Sequence, residues 1–229
     1  MRTPSMPDAK SIKPSRTSRT PRNGLVAFIA QAIQNYHFTG AVAPSSPALA
    51  KAMTRSLRTH QGPKRMLEVG PGTGPFTKQM LKAMRDGDEL HIVEINPTFA
   101  RRLDEALLKP FQQKHQQRFV HLHCQPIETA GVTGGFDYII CGLPFNNFPP
   151  ALVRSIFRRM LSLLNEDGEL SYFEYAAVRV MKGSFVNSEG RKKLGQIGAV
   201  GKVLQKRHKG TRELVLGNFP PAVAVKLRG

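Results

Sequence analysis

An α/β fold, with a mostly parallel seven-stranded sheet and helices on both faces, is what this sequence predicts. Three observations carry that prediction. From residue 65 to about 177, apolar strand-like runs alternate with helical ones. The intervening stretches are long enough for the helical crossovers that parallel strands require. A glycine-rich turn, "EVGPGTG" at 68–74, joins the first strand to the first helix. On an open parallel sheet that is where ligands dock.

The elements follow in order. "RMLEVG" reads as a strand, "PFTKQMLKAMRDG" as a helix, "ELHIVEIN" as a strand and "PTFARRLDEALLKPF" as a helix. "RFVHLHC" and "FDYIICGL" are two further strands. "PALVRSIFRRMLSLLNEDG" reads as a helix ending at Gly168, with Leu152, Ile156, Met160 and Leu163 on one face. On that helix Arg158 and Arg159 are expected to face solvent. "ELSYFEYAA" is the fifth strand. The tail, "VGKVLQKRHKG" and then "TRELVLGNFPPAVAVKLR", is expected to form extended segments about a turn at "QKRHKG", added antiparallel to the sheet. No internal repeat is seen.

The 229 residues suffice for one α/β domain with a sizeable core. No apolar run approaches the roughly 18 residues needed to span a bilayer, and no secretory leader is expected. The two cysteines, Cys124 and Cys141, both fall in strand-like segments. They are expected to be buried thiols in a reducing cytosol, not a disulfide framework. Zinc spacing is absent, and His121 and His123 read as neighbours on one strand face, so no metal is expected. A net charge of +18 and a pI near 10.5 call for a polyanion, either nucleic acid or an anionic membrane surface.

Residues 1–23 are basic and rich in Ser, Thr and Pro, a disordered arm by composition. From Asn23 to Ala50 there is no Lys, Arg, Asp or Glu. Within that stretch Leu25, Phe28, Ile29, Ala32, Ile33 and Tyr36 share a helical face. An interfacial membrane helix and an ordinary core-packing helix both fit it. Ser46 is placed to cap a helix that starts near Pro47. Residues 24–60 are therefore taken as an N-terminal helical docking or lid segment, and 61–229 as the catalytic domain.

The glycines Gly70, Gly72 and Gly74 permit close approach of a ligand to the backbone. Their spacing is G-x-G-x-G, not the G-x-G-x-x-G of dinucleotide sites, and Glu68 lies two residues ahead of the first. A carboxylate there suits a cationic ligand. Glu94, at the end of the second strand, is placed to accept hydrogen bonds from ribose hydroxyls. A sulfonium nucleoside, S-adenosylmethionine, fits these features better than a nicotinamide dinucleotide.

"LEVGPGTG" and "VEIN" resemble the first and second motifs of class I methyltransferases. The resemblance implies that Glu68, Gly70, Gly72 and Gly74 contact the amino-acid end of the cofactor, Glu94 the ribose, and Pro126 and Ile127 the adenine. "CGLPFNNFPP" resembles the "NLPY" or "NPPY" element of enzymes that methylate nitrogen, with Gly142 in place of its Asn. Together with "TGAVAPSSPALAKAM" and "NFPPA", this resembles the bacterial phospholipid N-methyltransferase family, from about Phe38 onward. Members methylate phosphatidylethanolamine or ornithine lipid, which implies an anionic leaflet and a lipid headgroup as partners and a cytoplasmic, peripheral location. No protein partner is called for.

Pro144 and Phe145 are then expected to present the amine, with Tyr175 completing a cation box. Glu174 is expected to draw in the ammonium and take its proton, although a solvated acid or a partner of Arg179 is equally open. A ribosomal RNA adenine methyltransferase is the alternative. Gly142 and the uncharged N-terminal helix count against it.

Overall fold

The computed structural model describes residues 45–176 and 188–229. The basic arm, the helical pattern over 25–36 and Arg179 lie outside the described residues. The seven strands are β1 (Arg65–Val69), β2 (Glu89–Val93), β3 (Phe119–His123), β4 (Phe136–Cys141), β5 (Leu164–Tyr175), β6 (Thr211–Val215) and β7 (Ala222–Arg228). They form one sheet in the order β3-β2-β1-β4-β5-β7-β6. Strands β1 to β5 run parallel, whereas β7 is antiparallel to both β5 and β6. The strand order reverses between β1 and β4, so the ends of those two strands open the crevice where ligands bind.

The helices are α1 (Pro47–Met53), α2 (Pro75–Ala83), α3 (Pro97–Leu103), α4 (Lys109–Lys114), α5 (Pro150–Leu163) and α6 (Ser188–Arg207). A π-helical turn, Asp104–Leu108, runs from α3 into α4. Four of the helices open on proline, whose fixed φ and missing N–H suit the first turn. The Ser46 side chain accepts the Leu49 N–H at 3.1 Å, and Asn96 accepts those of Thr98 and Phe99. No helix among the described residues is long and apolar enough to cross a membrane.

Strand side chains alternate between two apolar layers. Leu67, Val69, Val93, Ile139 and Cys141 pack against Leu152, Ile156 and Met160 of α5. On the other face Met66, Leu90, Ile92 and Ile140 pack with Phe76 and Met80 of α2 and with Leu49, Met53 and Leu57. Residues 47–58 therefore share the core of the sheet, across the boundary that composition suggests at residue 60.

Three expectations are corrected. The fifth helix stops at Leu163, not Gly168, because Leu164 turns extended and pairs with Phe136. The tail segment through Arg207 is helical, with the hairpin turn over 216–221 instead. Gly195, Gly198 and Gly201 disguise that helix in the sequence. Only Cys141 is buried; Cys124 is exposed because it follows β3, the edge strand.

Lys64 and Asp88 form a fully buried ion pair, 2.5 Å apart, at the start of β1 and β2. Asp88 also accepts the backbone N–H groups of Lys64 and Arg85. Asp88→Ala leaves an ammonium buried without its counter-charge. It should lower the stability by about 3–5 kcal/mol in urea denaturation.

Candidate active site

The turn after β1 and the loop after β4 meet with no room for a side chain between them. Gly70, Gly72 and Gly74 all have positive φ, at 70°, 55° and 80°. A Cβ on Gly70 would stand 2.3 Å from Cδ2 of Leu143. A Cβ on Gly142 would stand 2.5 Å from the carbonyl oxygen of Gly70. This is why glycine occupies the place of the motif's Asn: an amide side chain there would displace the cofactor turn.

Three carboxylates surround this contact. Glu68 is fully buried on the α2 side of β1, where its Oε2 accepts the Thr77 hydroxyl at 2.7 Å. Its Oε1 is buried without a partner. Burial is the main reason its carboxyl is pushed up to about 8, partly offset by the Thr77 hydrogen bonds. Glu94 accepts the N–H of Gly72 at 3.1 Å and that of Asn96 at 2.8 Å, and its pKa is raised by burial. It lines a cavity with Val69, Gly70, Pro126, Ile127 and Leu143. Pro126 and Ile127 thus sit beside Glu94, whereas neither cavity described here is lined by Glu68.

Glu128 lines the same cavity, and its Oε1 is also buried without a partner. Burial raises its pKa. Sequence reading passed over it, although an acid directly after Ile127 was the available signal. Arg159, expected in solvent, instead donates to the carbonyls of Ala130 and Val132 and so holds this loop. Arg158 is exposed as expected.

The donor set suits a cationic nucleoside. It offers glycine backbone that can be approached closely, two buried carboxylate oxygens without partners, and a ribose-height acid. The residues that would hold it are Glu68, Gly70, Gly72, Glu94, Ile127 and Glu128.

On the far side of Leu143 lies a second cavity, lined in part by Pro144, Phe145, Phe157, Glu174, Tyr175 and Ile197. Adjacent residues of one loop therefore serve both cavities: Leu143 the first, Pro144 and Phe145 the second. The Pro144 carbonyl accepts the N–H of Asn147 at 3.0 Å, which leaves its second lone pair for an incoming donor.

All four predicted residues line this cavity, but not as one box. Strand alternation sends Tyr172 and Glu174 to one face of β5, and Phe173 and Tyr175 to the other. Phe145 packs on Phe157 at 4.6 Å and lies edge-on to Tyr172 at 6.2 Å, whereas Tyr175 packs on Phe173 at 5.2 Å. Glu174 belongs to a closed ring of hydrogen bonds. Arg212 donates to Glu174 and to Gln205, Gln205 to the Tyr172 hydroxyl, and Tyr172 to Glu174. Helix α6 covers this cavity, and a Cβ on Gly201 would lie 2.9 Å from Glu174 Oε1. Tyr172, Gln205, Arg212 and α6 carried no motif by which sequence reading could have found them.

Known proteins extend the picture. The family described as "Methyltransferase domain" matches residues 66–168. An ornithine lipid N-methyltransferase of Singulisphaera acidiphila is 29% identical over 127 residues, 56% of this chain and 65% of that protein. The match thus spans less than two thirds of that relative's length. The O-methyltransferase of Bacillus cereus, solved in complex with SAH, aligns over 93% of this chain and 94% of its own at 15% identity, TM-score 0.60. The O-methyltransferase TomG from Streptomyces achromogenes, solved with SAM, aligns over 89% and 88% at 17% identity, TM-score 0.55. At these identities the likeness is one of fold.

Glu68 generates a pH dependence of stability. Its folded pKa lies above the ordinary 4.5, so its contribution is fully present below pH 4.5 and is lost as pH rises toward about 8. The unliganded chain should lose up to about 1.4 kcal/mol per pH unit from this group across that window. In Glu68→Gln that component should vanish from the pH profile of urea denaturation.

Proposed function

We propose that the chain is a class I S-adenosylmethionine-dependent methyltransferase that methylates the amine headgroup of a membrane amino lipid, phosphatidylethanolamine or ornithine lipid, in one or more steps. The observation that carries this reading is the acceptor cavity. It is aromatic and apolar, holds the Glu174 carboxylate, and abuts the cofactor cavity through three consecutive residues. The ornithine lipid N-methyltransferase similarity points the same way.

S-adenosylmethionine, when bound, supplies an electrophilic methyl group. The chain's own residues position the amine and prepare it, and positioning contributes most of the rate in such a displacement. Phe145 offers an aromatic face to a cationic headgroup. The second lone pair of the Pro144 carbonyl orients an N–H. An ammonium has no lone pair, so a proton must leave before attack. Glu174, held by Arg212 and Tyr172, attracts the ammonium and accepts that proton. Tyr175 closes the far wall.

A flipped nucleobase would need a planar amide partner. The position where the motif places one is Gly142, which has no space for it. The charge of +18 is then assigned to an anionic leaflet. Lys192, Lys202, Lys206 and Arg207, on the helix that covers the cavity, are exposed and would face that surface. The basic arm and the uncharged helical pattern over 25–36 are proposed to dock on the same leaflet, on the cytoplasmic side.

Two experiments test this reading. Labelled S-adenosylmethionine, incubated with the enzyme and either a total lipid extract or ribosomal RNA, should label the lipid. Label in RNA alone would refute the proposal. Glu174→Gln should lower kcat about 100-fold while the calorimetric Kd for S-adenosylmethionine stays unchanged. An unaltered kcat would remove Glu174 from the chemistry.

A further inference from the structure

Outside both cavities, four titratable side chains gather on β2 and β3. Glu89, His91, His121 and His123 lie on one face of these two strands, which pair in parallel register with His91 beside His121. The Nε2 of His91 stands 2.9 Å from Glu89 Oε1, and the Nε2 of His121 stands 3.3 Å from the same oxygen. These three ligand atoms all lie within 4.8 Å of one another.

We propose that Glu89 Oε1, His91 Nε2 and His121 Nε2 bind one divalent transition metal, zinc being the ion that fits best. Zinc takes imidazole nitrogen and carboxylate oxygen at about 2.0–2.2 Å, which sets tetrahedral ligand atoms about 3.4 Å apart. Two of the contacts are already at or below that spacing, so the ion enters with small side-chain rotations and no movement of the strands. Imidazole and carboxylate together suit zinc better than calcium or magnesium, which take oxygen ligands.

The surrounding groups are arranged as outer partners of such a site. The second ring nitrogen of His91, Nδ1, lies 3.0 Å from His123 Nε2, and the two rings stack within 9°. That contact fixes the orientation of the His91 ring and leaves Nε2 toward the metal. Arg65 donates to Glu89 Oε2 at 2.6 Å, which holds the carboxylate and leaves Oε1 for the ion. His121 is the exposed member, with 47% of its side chain accessible, so ions reach the site and water completes the coordination.

The sequence reading of His121 and His123 as one strand face is correct and incomplete. The other ligands stand 30 and 32 residues earlier, on the neighbouring strand. Binding would tie the edge strand β3 to β2. The His123 carbonyl accepts the N–H of Glu94, so the clamp lies directly behind the cofactor acid. A structural or regulatory ion is therefore assigned, not a participant in methyl transfer.

Titration of the full chain, free of any affinity tag and stripped with a chelator, tests the site. Calorimetry with zinc should give one ion per chain, and zinc should raise the melting temperature. His121→Ala and Glu89→Gln should each weaken binding at least tenfold and abolish the thermal shift. His115→Ala, outside the cluster, should change neither. Because His121 is exposed, its alanine variant will fold, which circular dichroism checks. Cobalt(II) bound in place of zinc should show the intense visible bands of a four-coordinate ion, lost in His121→Ala. Absence of saturable uptake, or uptake unchanged by both cluster variants, overturns the proposal.

Discussion

The contact between two backbones, at Gly70 and Gly142, is the constraint on which the rest of this molecule depends. Each glycine occupies the space that the other's loop would need for a side chain. Parallel pairing of β1 with β4 brings their ends together at the reversal of strand order, and the missing Cβ atoms let the two following loops close to van der Waals distance. Leu143 then stands between two cavities, and the transferred group has little distance to cross. A side chain at either glycine would force the loops apart and separate the two cavities.

The second constraint is electrostatic. A chain with a large positive excess nevertheless buries Glu68 and Glu94 and half-buries Glu128 around one crevice. Two of them keep an oxygen without a partner, which burial makes unfavourable for the unliganded state. Such strain is tolerated where a ligand relieves it. Burial raises the pKa of all three acids, and a cation in the crevice favours their ionised forms. The positive surface, meanwhile, is spread over exposed helices and loops, away from the interior site.

The second cavity is built differently. Its walls come from the loop after β4, the end of β5 and helix α6, elements far apart in the chain. The hydrogen-bond ring through Arg212, Gln205, Tyr172 and Glu174 draws on two of them, β5 and α6, and on β6. Glu174 is thereby oriented by β6 and α6, and small residues on α6 leave it the necessary space. The expected single aromatic box resolves into two groups on opposite faces of β5, one around Phe145 and one around Tyr175.

What was legible in the sequence was local. Alternation of strand and helix periods, the glycine turn with its acid, Glu94 at a strand end and the Ser46 cap each depend on residues within a few positions of one another, and each is found as expected. The order of the strands follows from packing crossovers on both faces of a sheet. What only the tertiary structure decided depends on pairs distant in the chain. These are the steric conflict that keeps Gly142 bare, the unpartnered oxygen of Glu128, the Arg212 that holds Glu174, and the meeting of His91 with His121. Helix α6 was hidden because its glycines lower local helix propensity, and it is packing against α5 and β7 that holds it helical. Periodicity reports which face of an element is buried, but it carries no record of what that face is buried against.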